Sequence, residues 1–199
     1  MYGAGKRAPF REDDEDLAPI SPYAETKLEA EQLCRTYSRL HALNVVCVRL
    51  FTVYGPRQRP DLAIHRFTDL IVHDRPIPVF GDGSTSRDYT YVDDAVYGIV
   101  AALRHDSRFD IFNLGTCRPI RLDELIRTIE STLGKEAEIH RLSHQAGDVP
   151  STWADISKAT KLLAYHPTTS LKVGVRRFVD WYHSATGAGP LPSASGSVA

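Results

Sequence analysis

Apolar and polar positions alternate along the chain with two periods, and together they predict helices interleaved with short buried strands. Ser21 is a credible N-cap, with Pro22 at the first helical position and Glu25 in the first turn, and helix-forming residues continue to about His41. That run predicts a helix of about five turns. Asn44 breaks it, and residues 45–51, β-branched and apolar, read as a strand buried on both faces of a parallel sheet. A turn-rich connection over residues 54–61 leads to a second helix from Leu62 to about Asp74, ended by Pro76 and Pro78. Val79-Phe80 and residues 87–91 are short extended pieces around a Gly81-Asp82-Gly83-Ser84 turn. Asp93 or Asp94 is placed to cap the next helix, which reaches about Arg104. Residues 111–115 read as another buried strand, and Leu122 to Leu133 as a helix closed by Gly134. Two further helices follow Asp155, separated by His166-Pro167, with Trp181 and Tyr182 packing the last. Strand and helix in alternation imply an α/β layered fold. The charged stretch 11–16 reads as a solvated connector, and residues 187–199, rich in Gly, Pro, Ser and Ala, as a disordered tail.

Composition narrows the function classes. The chain has 199 residues, 42% hydrophobic and 25% charged, which suits one soluble domain or a piece of a larger one. Its 24 basic and 25 acidic side chains leave a net charge of -1, so no global field favours nucleic acid or an anionic membrane. Cys34, Cys47 and Cys117 are odd in number and form no Cys-x-x-Cys pair, which argues against a disulfide framework and a zinc knuckle. His140 and His144 lie four apart without a His-Glu-x-x-His pattern and read as surface histidines rather than metal ligands. The apolar runs are short, no signal peptide is evident, and a cytoplasmic location is expected.

The sharpest chemical signal is Tyr23-Ala24-Glu25-Thr26-Lys27. Residues four apart share a helix face, and an ammonium beside a phenol favours the phenolate, so Tyr23 is a candidate proton shuttle. The same spacing also describes an ordinary surface pair. Context changes the weighting: Ser-Pro precedes the pair, a buried strand follows about twenty residues later, and Arg49-Leu50-Phe51-Thr52-Val53-Tyr54-Gly55-Pro56 ends that strand.

With these motifs, and with Tyr2-Gly3, residues 79–89 (Val-Phe-Gly-Asp-Gly-Ser-Thr-Ser-Arg-Asp-Tyr) and Ala146-Gly147-Asp148-Val149-Pro150, the sequence resembles the extended short-chain dehydrogenase/reductase family from Tyr2 to about Tyr182. Within that family it is most similar to the NAD-dependent nucleotide-sugar epimerases and dehydratases. The resemblance implies the C-terminal part of a Rossmann-type parallel sheet plus a small α/β substrate-binding lobe. Residues 1–55 and 92–115 would belong to the dinucleotide-binding sheet, and the rest of 56–186 to the lobe. It further implies that Tyr23 is the general base and acid, that Lys27 supports it and holds the nicotinamide ribose, and that NAD is the cofactor. Phe51, at a strand's carboxyl end, would lie beside the nicotinamide, although a core aromatic reads the same way. For a UDP-sugar, Arg87 would bind the diphosphate, Phe80 with Val79 would wall the uracil, and Asp148 would help fix the nucleotide. Gln145 stands where many members carry arginine.

Thr52 with Arg59-Pro60-Asp61 resembles the UDP-glucuronate 4-epimerases, and UDP-glucose stays open as substrate. A 4,6-dehydratase or decarboxylase of the same family, or an inactive UDP-sugar-binding fragment, are the alternatives. Family members carry a Gly-x-x-Gly-x-x-Gly turn, and a catalytic Ser or Thr just before the Tyr-Gly pair. Neither occurs in this sequence. The expectation is therefore a truncated reading of a longer gene, with little epimerase activity and weak NAD binding from these residues alone. A homodimer is expected for a full-length form.

Overall fold

In a computed structural model, residues 2, 8–14, 17, 19–143 and 149–187 are described. The tail expected to be disordered lies, apart from Gly187, outside them. Helix α1 (Pro22–His41) starts as its sequence dictates, with the Ser21 hydroxyl accepting from the Ala24 amide and Pro22 at the first position. It ends on Ala42 in the left-handed region, at φ 55. Ala24, Glu31 and Ser38 form its inward stripe, and the Ser38 hydroxyl donates to the Arg108 carbonyl at 2.6 Å.

That stripe lies on strand β1 (Val45–Leu50), which pairs in parallel with β5 (Phe109–Leu114). The apolar run 45–51 predicts one strand, but the chain leaves this sheet at Phe51. The Phe51 amide takes the Leu114 carbonyl, the last one β5 offers, and the next residues pair elsewhere as β2 (Thr52–Tyr54). β2 runs parallel to β4 (Ser86–Tyr91), with Thr52 opposite Tyr89. On the face of β1 away from α1, Val46 and Val48 pack with Phe112, Leu114 and Tyr165 between α3 (Val92–Leu103) and α5 (Ser157–Leu163). A parallel pair covered on both sides is the α/β arrangement the sequence predicts.

The second core is larger. β3 (Ile77–Phe80) and β7 (Ile139–Leu142) pair in parallel, while β6 (Pro119–Arg121) extends β4 on the far side from β2 and β8 (Ser151–Thr152) pairs in parallel with the start of β4. Helices α2 (Ala63–Val72), α4 (Leu122–Leu133) and α6 (Leu171–Thr186) close over Tyr54, Ile77, Ile129, Phe178 and Tyr182. Each such fully buried side chain contributes roughly 1.5–3 kcal/mol.

Other departures have local causes. β6, β7 and β8 escape sequence patterning because they are two to four residues long and mostly not buried. Asp94 does not cap α3: it is buried and accepts from the Thr168 and Thr169 amides at 3.2 and 3.0 Å, tying α3 to the segment before α6. Pro76 and Pro78 do not end α2, which stops at Val72; Pro78 sits inside β3, a two-stranded edge that tolerates it. β5 begins two residues before the predicted start. The connector is only partly solvated, since Phe10 is buried against Ala154 and Glu12 accepts the Asn113 amide at 2.8 Å. No described helix is long and apolar enough to cross a membrane.

Gly174, in α6, lies directly against the Tyr54 ring of β2. A Cβ there would stand 2.7 Å from Cζ of Tyr54, a ring with 1% exposure. Alanine gains about 1 kcal/mol of helix propensity but must displace a locked aromatic, so Gly174→Ala is expected to destabilise by about 2 kcal/mol net. Urea denaturation checks this; an unchanged or raised midpoint would show that Tyr54 has room to move.

Candidate active site

Tyr23 and Lys27 occupy the first two turns of α1, and the Lys27 ammonium lies 5.3 Å from the centre of the Tyr23 ring. Tyr23 is 72% exposed and Lys27 is exposed as well, so the pair faces open space. Ala24, buried between them, sets the rotation of the helix. The phenol and the amine therefore share a face that a ligand can reach.

Behind this face α1 is fastened to β1 by charge. Arg49 donates to both oxygens of Glu31, at 2.9 and 2.6 Å, and the two side chains are only 6% and 8% exposed. Such a fork is the strongest form of side-chain pairing. A third Arg49 nitrogen donates to the Tyr2 hydroxyl at 2.8 Å, which donates to Asn113 Oδ1 at 2.5 Å. Burial pushes the Tyr2 phenol up to about 12, against the opposing pull of the Arg49 charge and its hydrogen bond. Burial alone would weaken the Arg49 charge, yet Glu31 and the Tyr2 oxygen raise its pKa above the ordinary value. Tyr2 also stacks on Phe10, 4.6 Å between ring centres, and lies 6.3 Å from Phe51. The sequence holds a signal for this network that patterning passed over: a glutamate on a helix's inward stripe and an arginine inside a buried strand, two charges that persist in a low-dielectric setting only as partners.

The remaining candidates lie on several separate elements. Phe51 and Thr52, both half-buried, occupy the break from β1 to β2. Arg87 lies on the neighbouring strand β4, two residues before Tyr89, the partner of Thr52. Its guanidinium donates to the carbonyls of Ser86 and Val149, each at 2.8 Å, and the Ser86 amide donates to Pro150. These bonds hold the Val149-Pro150 end of the Gly-Asp-Val-Pro motif against β4. Gln145 and Asp148 lie outside the described residues. Val79 and Phe80 part company because successive strand residues face opposite ways: Val79 enters the core, and Phe80 stays 37% exposed at the end of β3. Arg59 is exposed and committed to Asp61 within its own loop, at 3.0 Å. His140 is exposed, and no cluster of metal-binding side chains occurs among the described residues.

An exposed phenol and ammonium on one helix face, with an aromatic at the adjoining strand end, form a polar face open to a ligand. No Gly-x-x-Gly-x-x-Gly run occurs in the sequence. What the arrangement can do by itself is hold and exchange a proton at an open face.

A parallel pair covered on both sides, a Tyr-x-x-x-Lys face at its edge and a lobe carrying Arg87 define an α/β protein of the Rossmann-type class. The chain belongs to the NAD dependent epimerase/dehydratase family, whose model matches residues 1–115. A UDP-glucuronate 4-epimerase of Thermodesulfobacterium geofontis is 45% identical over 179 residues, 89% of this chain and 55% of that protein. The crystal structure of UDP-glucuronic acid 4-epimerase from Bacillus cereus, in complex with UDP-glucuronic acid and NAD, is 39% identical with a TM-score of 0.85, covering 92% of this chain and 59% of that one. UDP-glucose 4-epimerase of Thermotoga maritima with UDP-glucose is 30% identical with a TM-score of 0.87, over 92% and 60% of the two chains. These neighbours are Rossmann-type, as the fold predicts. The chain spans little more than half the length of the relatives it matches.

Proposed function

We propose that these residues form the proton-transfer and UDP-sugar-binding part of an NAD-dependent UDP-sugar 4-epimerase, with UDP-glucuronate as the favoured substrate and UDP-glucose as the alternative. The apposed, open Tyr23 and Lys27 carry the reading. When bound, NAD supplies a hydride acceptor and donor, with Lys27 and Tyr23 holding its ribose end beside Phe51. The chain's own residues do the rest. Tyr23 removes the proton of the sugar 4-hydroxyl and later returns it, and the Lys27 ammonium stabilises the phenolate between the two events. The Glu31–Arg49 fork keeps the helix bearing this pair in register with the strand that delivers Phe51 and Thr52.

Residues 56–186, apart from 92–115, are assigned to the UDP-sugar. Arg87, anchored on two carbonyls, presents its guanidinium to the diphosphate, and Phe80 offers an exposed face for the uracil. Asp148 and Gln145 are retained as nucleotide contacts on the motif that Arg87 secures. Thr52 and Arg59 are assigned to the sugar carboxylate. Arg59 meets it by exchanging its exposed partner Asp61, a pair worth at most about 1 kcal/mol. The reading places the protein in the cytoplasm, in carbohydrate metabolism, and in a homodimer formed through the outer face of α1, where Leu33, Tyr37 and Leu40 are exposed.

Nucleotide binding tests the substrate half with residues this chain contains. Calorimetric titration with UDP is expected to show binding that weakens at least tenfold in Arg87→Ala and changes little in Arg59→Ala, because UDP has no sugar carboxylate. Equal affinity of wild type and Arg87→Ala would remove the diphosphate role.

A further inference from the structure

Two of the three cysteines meet in the fold although they are thirteen positions apart and in no recognisable motif. Glu31 and Cys34 are one helical turn apart on α1, and Cys47 and Arg49 lie two apart on β1, so each pair shares a face. The Glu31–Arg49 fork fixes those faces against each other, and the next rung of the same contact is Cys34 on Cys47. Both are half-buried, whereas Cys117 is exposed on a distant turn. We propose that Cys34 and Cys47 are a dithiol redox site, convertible to an intramolecular disulfide by a small-molecule disulfide of the oxidised-glutathione class. The site goes beyond the proposed epimerase reading and does not rest on it.

The reaction balances as two exchanges. The Cys34 thiol loses its proton, and its sulfur attacks one sulfur of oxidised glutathione. One glutathione leaves as thiolate and takes up a proton. Cys47 then loses its proton and attacks the Cys34 sulfur of the mixed disulfide, and the second glutathione departs and is protonated. Two cysteine thiols are oxidised to one disulfide, and one glutathione disulfide is reduced to two thiols. The order follows from the setting of Cys47. Burial pushes its thiol up to about 12, with the adjacent Cys34 adding to the rise, so Cys47 is the poorer first nucleophile. Capping Cys34 removes that neighbouring sulfur charge and eases the second step. The product closes a short loop through the helix–strand junction, which would tether the helix carrying Tyr23 to the strand leading to Phe51.

The test treats the whole chain with oxidised glutathione, denatures it, and counts thiols. Of three thiols in the reduced protein, one is expected to remain, with a non-reduced peptide map joining the Cys34 and Cys47 peptides and a mass lower by two hydrogens. Cys117→Ser should still form the bond and be left with no thiol, whereas Cys34→Ser and Cys47→Ser should each form none within the chain. Thermal melting should rise by roughly 5 °C or more on oxidation of Cys117→Ser and return on reduction. Three surviving thiols, stable glutathione adducts in place of the cross-link, or linkage only between chains through Cys117 would overturn the proposal. None of these readouts depends on epimerase activity.

Discussion

Replacing Asp88 with alanine is expected to lower the unfolding free energy by about 4 kcal/mol and the melting temperature by roughly 10 °C. Asp88 sits on β4 with no exposed surface, and its carboxylate is the point where three segments converge. One oxygen accepts from the Thr116 amide and hydroxyl, at 2.7 and 2.6 Å, and the other from the Cys117 and Ala154 amides, both at 3.1 Å. The turn after β5 and the segment after β8 are thus tied to β4 through one side chain. Its loss strands the buried Ala154 amide, at a cost of about 1–3 kcal/mol when unpaired, and strips the half-buried Thr116 and exposed Cys117 amides of a charged acceptor. Gly115 records how tight this junction is, since a Cβ there would lie 2.6 Å from Asp88 Oδ2. Asparagine separates charge from volume. It fills the same space but turns an NH2 toward donors, so Asp88→Asn should recover less than half of the loss. Urea denaturation of the three proteins measures it; a deficit below about 1 kcal/mol for alanine would mean that water replaces the carboxylate at little cost.

The contrast between Asp88 and Tyr23 marks what a sequence can reveal. α1 and α4 were readable to the residue because their boundaries are written locally: Ser21-Pro22 at one start and Gly134 at one end. The Tyr23–Lys27 face was readable for the same reason, being one helical turn of a single element. The network behind it was not. Tyr2 reaches Asn113 across 111 positions and Arg49 reaches Glu31 across 18, and no local period encodes either pairing. The strand break at Phe51 was hidden similarly, since residues 45–54 continue as one strand-forming run and only the length of β5 decides where pairing changes. Asp94 shows the same limit in reverse: its position suits a cap, and a partner from residues 168–169 claims it instead. Arg87 lay within a visible motif, but its anchoring on Val149 depends on how Val149-Pro150 lies against β4.

Tyr23→Phe is expected to lower epimerase turnover about a thousandfold, equivalent to about 4 kcal/mol of transition-state stabilisation, with little change in KM. Because this chain covers only 59% of the Bacillus cereus enzyme, the assay uses a fusion that adds the part of that enzyme outside the aligned region, supplied with NAD and UDP-glucuronate. Phenylalanine keeps the ring that lies beside Lys27 and removes only the hydroxyl, so the variant isolates proton transfer from packing. Tyr23 is 72% exposed, and the substitution should leave thermal stability unchanged, which separates a chemical defect from a folding defect. Lys27→Met should also slow turnover, because it removes the amine that lies against the Tyr23 ring. A Tyr23→Phe fusion that keeps its full rate would assign the proton to another group, and the apposition of phenol and amine would then be a surface contact.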